Sequence, residues 1–382
     1  MRIQSIDTLR GIAILGILFM NIYFHGSLMT GYGELTPKPL SDSLIEVINS
    51  IFFDGRFRTL FCLLFGAGLA IQFQWCKKNQ LSPKAFLTIR MKWLMVFGLL
   101  HGIFIFGGDI LLLYSLSALT VLNYLSLSLK PLLKKAVIFL TIGAVLTTIM
   151  ALFFVFIVEE RVLLRSSAEY EELYTLWFNG YFSQILIQAS ITIGVVLISP
   201  LSIYWQVTGL MILGMFLYRV GFFKKGFKPR QLVFIVFFAL ILTIVDLTIL
   251  LIFPQLTDEI TSMTASFSAI FVALLYAHII IKLTQHGSFI SNVFSPPGKL
   301  ALSLYIFQSL AMAMVLRFLM ADFHLTATRL DYIIIASVFT LIQLSLAHWY
   351  LRYFRQGPLE YLWRFACQHS HNKTVSKSDL TE

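Results

Sequence analysis

Runs of about twenty apolar residues, each closed by a few polar or charged ones, recur along the whole chain. A helix rising about 1.5 Å per residue crosses a hydrocarbon core of about 30 Å in that length, so each run predicts a membrane-spanning helix. The runs fall at 9–29, 57–75, 93–107, 109–129, 136–158, 200–222, 231–253, 264–282, 300–320 and 332–351. The strands of a membrane barrel would instead alternate apolar and polar residues, and "LVFIVFFALILTIVDLTILLIF" from Leu232 to Phe253 does not. The expected fold class is therefore an all-α, polytopic transmembrane bundle of about ten spans.

Charge refines the topology. The loop 76–92 carries Lys77, Lys78, Lys84, Arg90 and Lys92 with no acid, and is taken as cytoplasmic by the positive-inside rule. Alternation then puts Lys130, Lys134 and Lys135 inside, and Glu159, Glu160, Glu169, Glu171 and Glu172 outside. The stretch 183–199 is also apolar. If it crossed, Lys224, Lys225, Lys228, Arg230, Lys282, Lys299, Arg352, Arg355 and Arg364 would all lie outside, so it is read as a re-entrant or interfacial segment. Both termini are then expected in the cytoplasm of a bacterium, with a single integral membrane domain over 1–363 and a disordered cytoplasmic tail over 364–382.

Composition agrees: 58% of the 382 residues are hydrophobic and 13% charged, against about a quarter charged in soluble domains. A net charge of +10 would suggest nucleic acid in a soluble protein, but here the cations sit in short loops beside lipid, so no nucleic-acid partner is expected. Cys62, Cys76 and Cys367 are unclustered and imply neither disulfides nor a metal site. Arg2 and Arg10 ahead of "GIAILGILFMNIYF" imitate a secretory signal, but no A-x-A-like site follows, so a retained first helix is expected.

Polar and ionisable groups inside apolar runs are the candidate chemistry, since each charged one costs about 2.5–3.5 kcal/mol to insert. His101 in the third run is either a general base or a histidine hydrogen-bonded between helices. Asp109, after Gly107 and Gly108, either caps the fourth helix or turns back toward His101; on an unbroken helix the two would be about 12 Å apart along the axis. Tyr114 reads as an interface aromatic or a proton donor. Arg56 and Arg58 lie at the outer end of the second run, where they bind an anion or pair with Asp54 and the other acids of that loop. Arg10 and Arg90 sit near inner helix ends, where arginines commonly snorkel, and Asn21 is a further polar group of the first run. Asp246 stands alone in an apolar helix and suggests a proton path, which together with the broken 183–200 region favours a transporter or flippase.

The segments "IDTLRGIAILGILFMNI", "FFDGRFRTLFCLLFGAG", "LLHGIFIFGGDILLLYSL", "GLMILGMFLYRVGFF", "GKLALSLYIFQSL" and "FRQGPLEYLWR" resemble, in this order, the YeiB-like family of bacterial inner-membrane proteins, which carries a domain-of-unknown-function label. The opening D-x-L-R-G-x-A also resembles heparan-glucosaminide N-acetyltransferase and other membrane acyltransferases. That resemblance implies acyl transfer from a cytoplasmic acyl-CoA co-substrate, with no permanently bound cofactor, to an envelope glycan, lipid or peptide acceptor. It implies a catalytic role for His101 with Asp109 or Tyr114, donor contacts for Arg10 and Arg90, and an outer mouth lined by Arg56 and Arg58.

Overall fold

The computed structural model describes residues 3–26, 31–157, 163–253, 257–285 and 288–378; Arg2, Glu159, Glu160 and residues 379–382 lie outside them. Helices dominate the described residues, and their extended pairing is an isolated bridge between Glu34 and Leu164. In chain order they are α1 (Gln4–Gly26), α2 (Leu40–Phe52), α3 (Arg56–Lys78), α4 (Pro83–Phe104), α5 (Ile110–Val121), α6 (Leu129–Ile157), α7 (Ala168–Phe178), α8 (Tyr181–Ile198) and α9 (Ile203–Arg219). There follow α10 (Phe222–Lys225), α11 (Pro229–Ile252), α12 (Thr257–Leu283), α13 (Phe289–Lys299), α14 (Ala301–Ala313, prolonged by a π turn over Met314–Leu319), α15 (Phe323–Thr326), α16 (Arg329–Tyr353) and α17 (Pro358–Ser378). Nine helical stretches among the described residues are long and apolar enough to cross a bilayer, which makes this a multi-span membrane protein.

The face at which α1 begins is termed near and the opposite one far. Bonds from Ser5 to Phe223, Arg219 to Leu125, Phe227 to His278 and Ser303 to Glu360 gather the starts of α1, α11 and α14 with the ends of α5, α9 and α12 at the near face, which sets α1, α3, α4, α5, α6, α9, α11, α12, α14 and α16 running alternately between the two. α8 is the exception. Its first residue donates from the Tyr181 hydroxyl to the Phe104 carbonyl at the far end of α4 (2.7 Å), while Ile198 borders a cavity shared with Phe24 and Asp54, also at far ends. Although 181–201 has the length and polarity of a span, both its ends thus lie on one side, and α9 starts where α8 started.

Two boundaries differ from the apolar pattern, for physical reasons. α4 begins ten residues before the third run, because Pro83 supplies a helix-ready φ at its start and Lys84, Arg90 and Lys92 occupy the near-face turns. His101 consequently lies in the last turn of α4, toward the far face, and not in mid-span. The stretch 31–56, expected from sequence as an outer loop, contains α2, whose Leu40, Leu44, Ile48 and Phe52 recur every four residues on one exposed apolar stripe while Asp42, Ile45 and Asn49 are buried. Asn49 meets Tyr23, Phe53 stacks on Phe19 and Phe57 packs at Gly16, so α2 descends beside α1 and leads into α3 as one apolar stretch over Leu40–Lys78. Residues 364–370, read from sequence as tail, belong to α17, where Cys367 is buried and Ser370 accepts from the Trp93 indole at 2.9 Å.

α15 holds a titratable group outside the spans. Burial lowers the pKa of His324 from 6.5 to about 4. Between those values the unfolded state binds a proton that the folded state refuses, so stability is complete above pH 6.5 and lost as pH falls toward 4. We expect a loss of about 3 kcal/mol across that window. Thermal unfolding of wild type and His324→Gln from pH 7 to pH 4 checks this: the variant should lose part of the acid slope, and parallel slopes would contradict it.

Candidate functional site

The site begins with a broken helix. α4 ends at Phe104, and the His101 carbonyl accepts the amides of both Ile105 and Phe106 (2.9 and 2.8 Å) as the chain turns over through Gly107 and Gly108. The reversal carries Asp109 back down a full turn. Its Oδ1 lies 2.8 Å from Nδ1 of His101, and both side chains are fully buried. Its Oδ2 accepts the Leu112 amide at 2.7 Å and so caps α5. Capping and turning back, alternatives on sequence alone, occur together because a carboxylate has two oxygens. The close approach depends on Gly98, where a Cβ would stand 2.4 Å from the Leu112 nitrogen.

A carboxylate can only accept from the imidazole, so Nδ1 carries the proton and Nε2 is left as the basic nitrogen. Nε2 is buried and has no hydrogen-bond partner among the described residues. Tyr305 of α14 completes this group. Its hydroxyl accepts the Ile110 amide (3.3 Å) and lies 3.5 Å from Asp109 Oδ1, and its ring is 5.1 Å from the His101 ring.

Tyr305 is also the inner wall of a cavity of about 240 Å³ reaching up from the near face. The deep part is apolar, with Ile14, Phe61, Phe65, Leu94 and Leu111, and the mouth is basic, with Arg10, Arg90 and Lys299. Arg90 stacks over the Trp363 ring at 4.1 Å, and that indole donates to the Arg90 carbonyl at 3.0 Å. Arg10 is itself paired with Asp7 at 3.5 Å and donates to the Gly298 carbonyl at 3.4 Å, while Glu360 accepts the Leu302 and Ser303 amides and the Ser303 hydroxyl at the start of α14.

Beyond His101, on the far side, lies a second group of buried polar side chains. His25 stacks on Phe106 with ring centroids 4.0 Å apart, and α8 presents Gln184, Gln188 and Thr192. Both nitrogens of His25, both polar atoms of Gln188 and the Thr192 hydroxyl are buried without partners among the described residues. The imidazole therefore stands between Tyr305, which lines the apolar, basic-mouthed cavity, and a cluster of buried polar side chains.

The other candidates lie apart. The Tyr114 hydroxyl donates to the Arg58 carbonyl and accepts from Cys62 Sγ, both at 3.1 Å, so it faces α3. Arg56 is fully buried and reaches Asp246 Oδ2 at 3.2 Å, with further bonds from Arg56 to the Asp54 carbonyl and from the Ser268 hydroxyl to Asp246. Asp246 is thus one half of an ion pair. Arg58 borders a far-face cavity of about 500 Å³, and Asn21 is half-buried on α1. Sequence reasoning missed Tyr305, His25 and Gln188. The cost of burying a polar group could have flagged His25, which lies inside the first apolar run; nothing local marks Tyr305.

Residues 217–369 match the family described as "Protein of unknown function (DUF418)". The chain is homologous over nearly its whole length to "Uncharacterized protein YeiB" of Escherichia coli (strain K12), with 27% identity over 98% of each chain. It is likewise similar to "Uncharacterized protein YxaH" of Bacillus subtilis (strain 168), with 23% identity over 99% of this chain and 97% of that protein. No solved structure matches. The DUF418 match includes Asp246, Tyr305 and Trp363, while His101 and Asp109 precede it.

Proposed function

We propose that this DUF418-family membrane protein is a transmembrane acyltransferase, taking an acyl group from an acyl-CoA at the near face and passing it to a hydroxyl or amine at the far face. The near face, which carries most of the Lys and Arg, is on this reading cytoplasmic, and the acceptor is an envelope glycan, lipid or peptide. The observation that carries the proposal is the buried His101–Asp109 pair, with Tyr305 and a basic-mouthed apolar cavity on one side and unpartnered buried polar groups of His25, Gln188 and Thr192 on the other. Arg10 and Arg90 suit the phosphates of the donor, and the apolar interior suits its pantetheine arm and acyl chain.

In this scheme Nε2 of His101 takes the proton of the acceptor as its oxygen or nitrogen attacks the thioester carbon. Collapse of the adduct breaks the C–S bond, and the imidazolium returns that proton to the leaving thiolate. Asp109 remains ionised throughout, holding the ring and stabilising its charged form. Tyr305 positions Asp109 and is a barrier that the thioester has to pass.

The test is release of free thiol from acyl-CoA by purified protein supplied with an envelope extract as acceptor. Arg10→Gln and Arg90→Gln should each raise KM for the donor about tenfold or more, with kcat changed less, since each removes a charged hydrogen bond to phosphate. Unaltered KM in both variants would exclude this cavity as the donor site.

A further inference from the structure

Two arginines at the far end of the bundle contrast with Arg56, which has a carboxylate partner. Arg317, in the π turn after α14, is 3% exposed, and its Nε and Nη2 have no partner among the described residues. Arg165 is half-buried, but its Nη1 and Nη2 are shielded and equally unpartnered. Contacts through His324 link them: its Nε2 is hydrogen-bonded to the carbonyl of Leu316, beside Arg317, and its carbonyl accepts the hydroxyl of Tyr170, whose ring packs at Gly33 next to the Arg165 side chain. Each is seated on an aromatic face, Arg317 over Trp177 at 5.0 Å and Arg165 over Tyr32 at 4.7 Å. Backbone pairing fixes Arg165 further, through its amide to the Glu34 carbonyl (3.0 Å) and its Nε to the Gly33 carbonyl (2.8 Å).

Four described acids at this end have other partners. Asp42 accepts the Tyr32 hydroxyl and the Arg329 amide, Asp322 accepts the Tyr174 hydroxyl, and Glu34 and Glu46 pair with Lys38 and Arg329. His324 adds no charge. Its Nε2 is 2.9 Å from the Leu316 carbonyl and so bears the proton, leaving Nδ1 to accept from Tyr332 at 3.3 Å. An unpaired buried cation is costly, and Arg56 in the same protein shows the usual remedy, a carboxylate on its guanidinium. A guanidinium stacked on a ring keeps its in-plane N–H groups free, the arrangement that binds oxyanions in bidentate fashion.

We infer that Arg317 and Arg165 form a far-face site for a phosphate group. The exposed apolar side chains nearby, Phe182, Phe318 and Leu319, admit either a phospholipid headgroup or a soluble phosphate. The inference does not depend on acyl transfer. It is tested by binding alone, with the full chain purified in detergent.

Inorganic phosphate, at constant ionic strength against chloride, should raise the midpoint of thermal unfolding, and phosphatidylglycerol should be retained in native mass spectrometry if the source is a headgroup. Arg317→Gln and Arg165→Gln should each weaken whichever ligand binds by about tenfold or more, while Arg352→Gln, on the opposite face, should not. Either ligand lost in these two variants supports the site and identifies its source. No binding of either, or binding that survives both substitutions, overturns it. A readout independent of ligand is Arg317→Met without phosphate: it should leave the midpoint unchanged or raise it, because no partner is stranded, and a large fall would mark the arginine as structural and refute the proposal.

Discussion

Asp109→Asn is expected to cut acyl transfer by about 10²–10⁴-fold while leaving the protein folded. Asparagine is as good a helix cap as aspartate, so the Leu112 amide keeps its acceptor and α5 its start. The imidazole, however, loses the anion that fixes its tautomer at 2.8 Å and stabilises its protonated form. Asp109→Ala should be equally inactive and also lose about 0.5–2 kcal/mol with the cap, which separates the two roles of one carboxylate. His101→Ala removes the base itself and should fall at least as far as Asp109→Asn. Thiol release and thermal midpoints measured side by side check the series, and an Asp109→Asn enzyme of wild-type rate would refute the orienting role.

The second large effect is one of stability. Asp246→Asn leaves the fully buried Arg56 without its counter-charge and should destabilise the protein by about 3–5 kcal/mol. Removing both charges should cost far less, because taking two ions out of water nearly cancels their attraction. We therefore expect the double variant Arg56→Met/Asp246→Leu to recover most of the loss seen in Asp246→Asn, as read by denaturation in mixed micelles. A single variant as stable as wild type would show the pair to be dispensable. The pairing also bears on the transport reading, which was motivated by a solitary carboxylate in α11; the carboxylate has a fixed partner in α3.

What the chain discloses in one dimension follows from the range of the forces involved. Runs of apolar residues report directly on the bilayer, so the alternation of spans and the exceptional placement of 183–199 are legible from length and charge. His101 and Asp109 are legible as costly residues, but their contact is not, since an unbroken helix would hold them about 12 Å apart and only the turn at Gly107 and Gly108 returns one to the other. Asp246 and Arg56 meet across 190 residues, and Tyr305 reaches Asp109 across 196. Tyr305 therefore looks like one more aromatic in an apolar run, while Tyr114, nearer to His101 in sequence, faces the Arg58 carbonyl instead. Arg317 was within reach, an arginine in the apolar run 300–320; that its Nε and Nη2 have no partner among the described residues is visible only in three dimensions.

Acyl transfer across the bundle requires the acyl group to pass from the near face to the far one. The protein is reconstituted into sealed vesicles, with the near face identified by protease cleavage of a tag on the carboxy terminus, radiolabelled acyl-CoA supplied at that face and acceptor enclosed at the other. Label is expected on the enclosed acceptor with wild-type protein and not with His101→Ala. Label carried equally well by His101→Ala, or appearing only when donor and acceptor share a face, would contradict it.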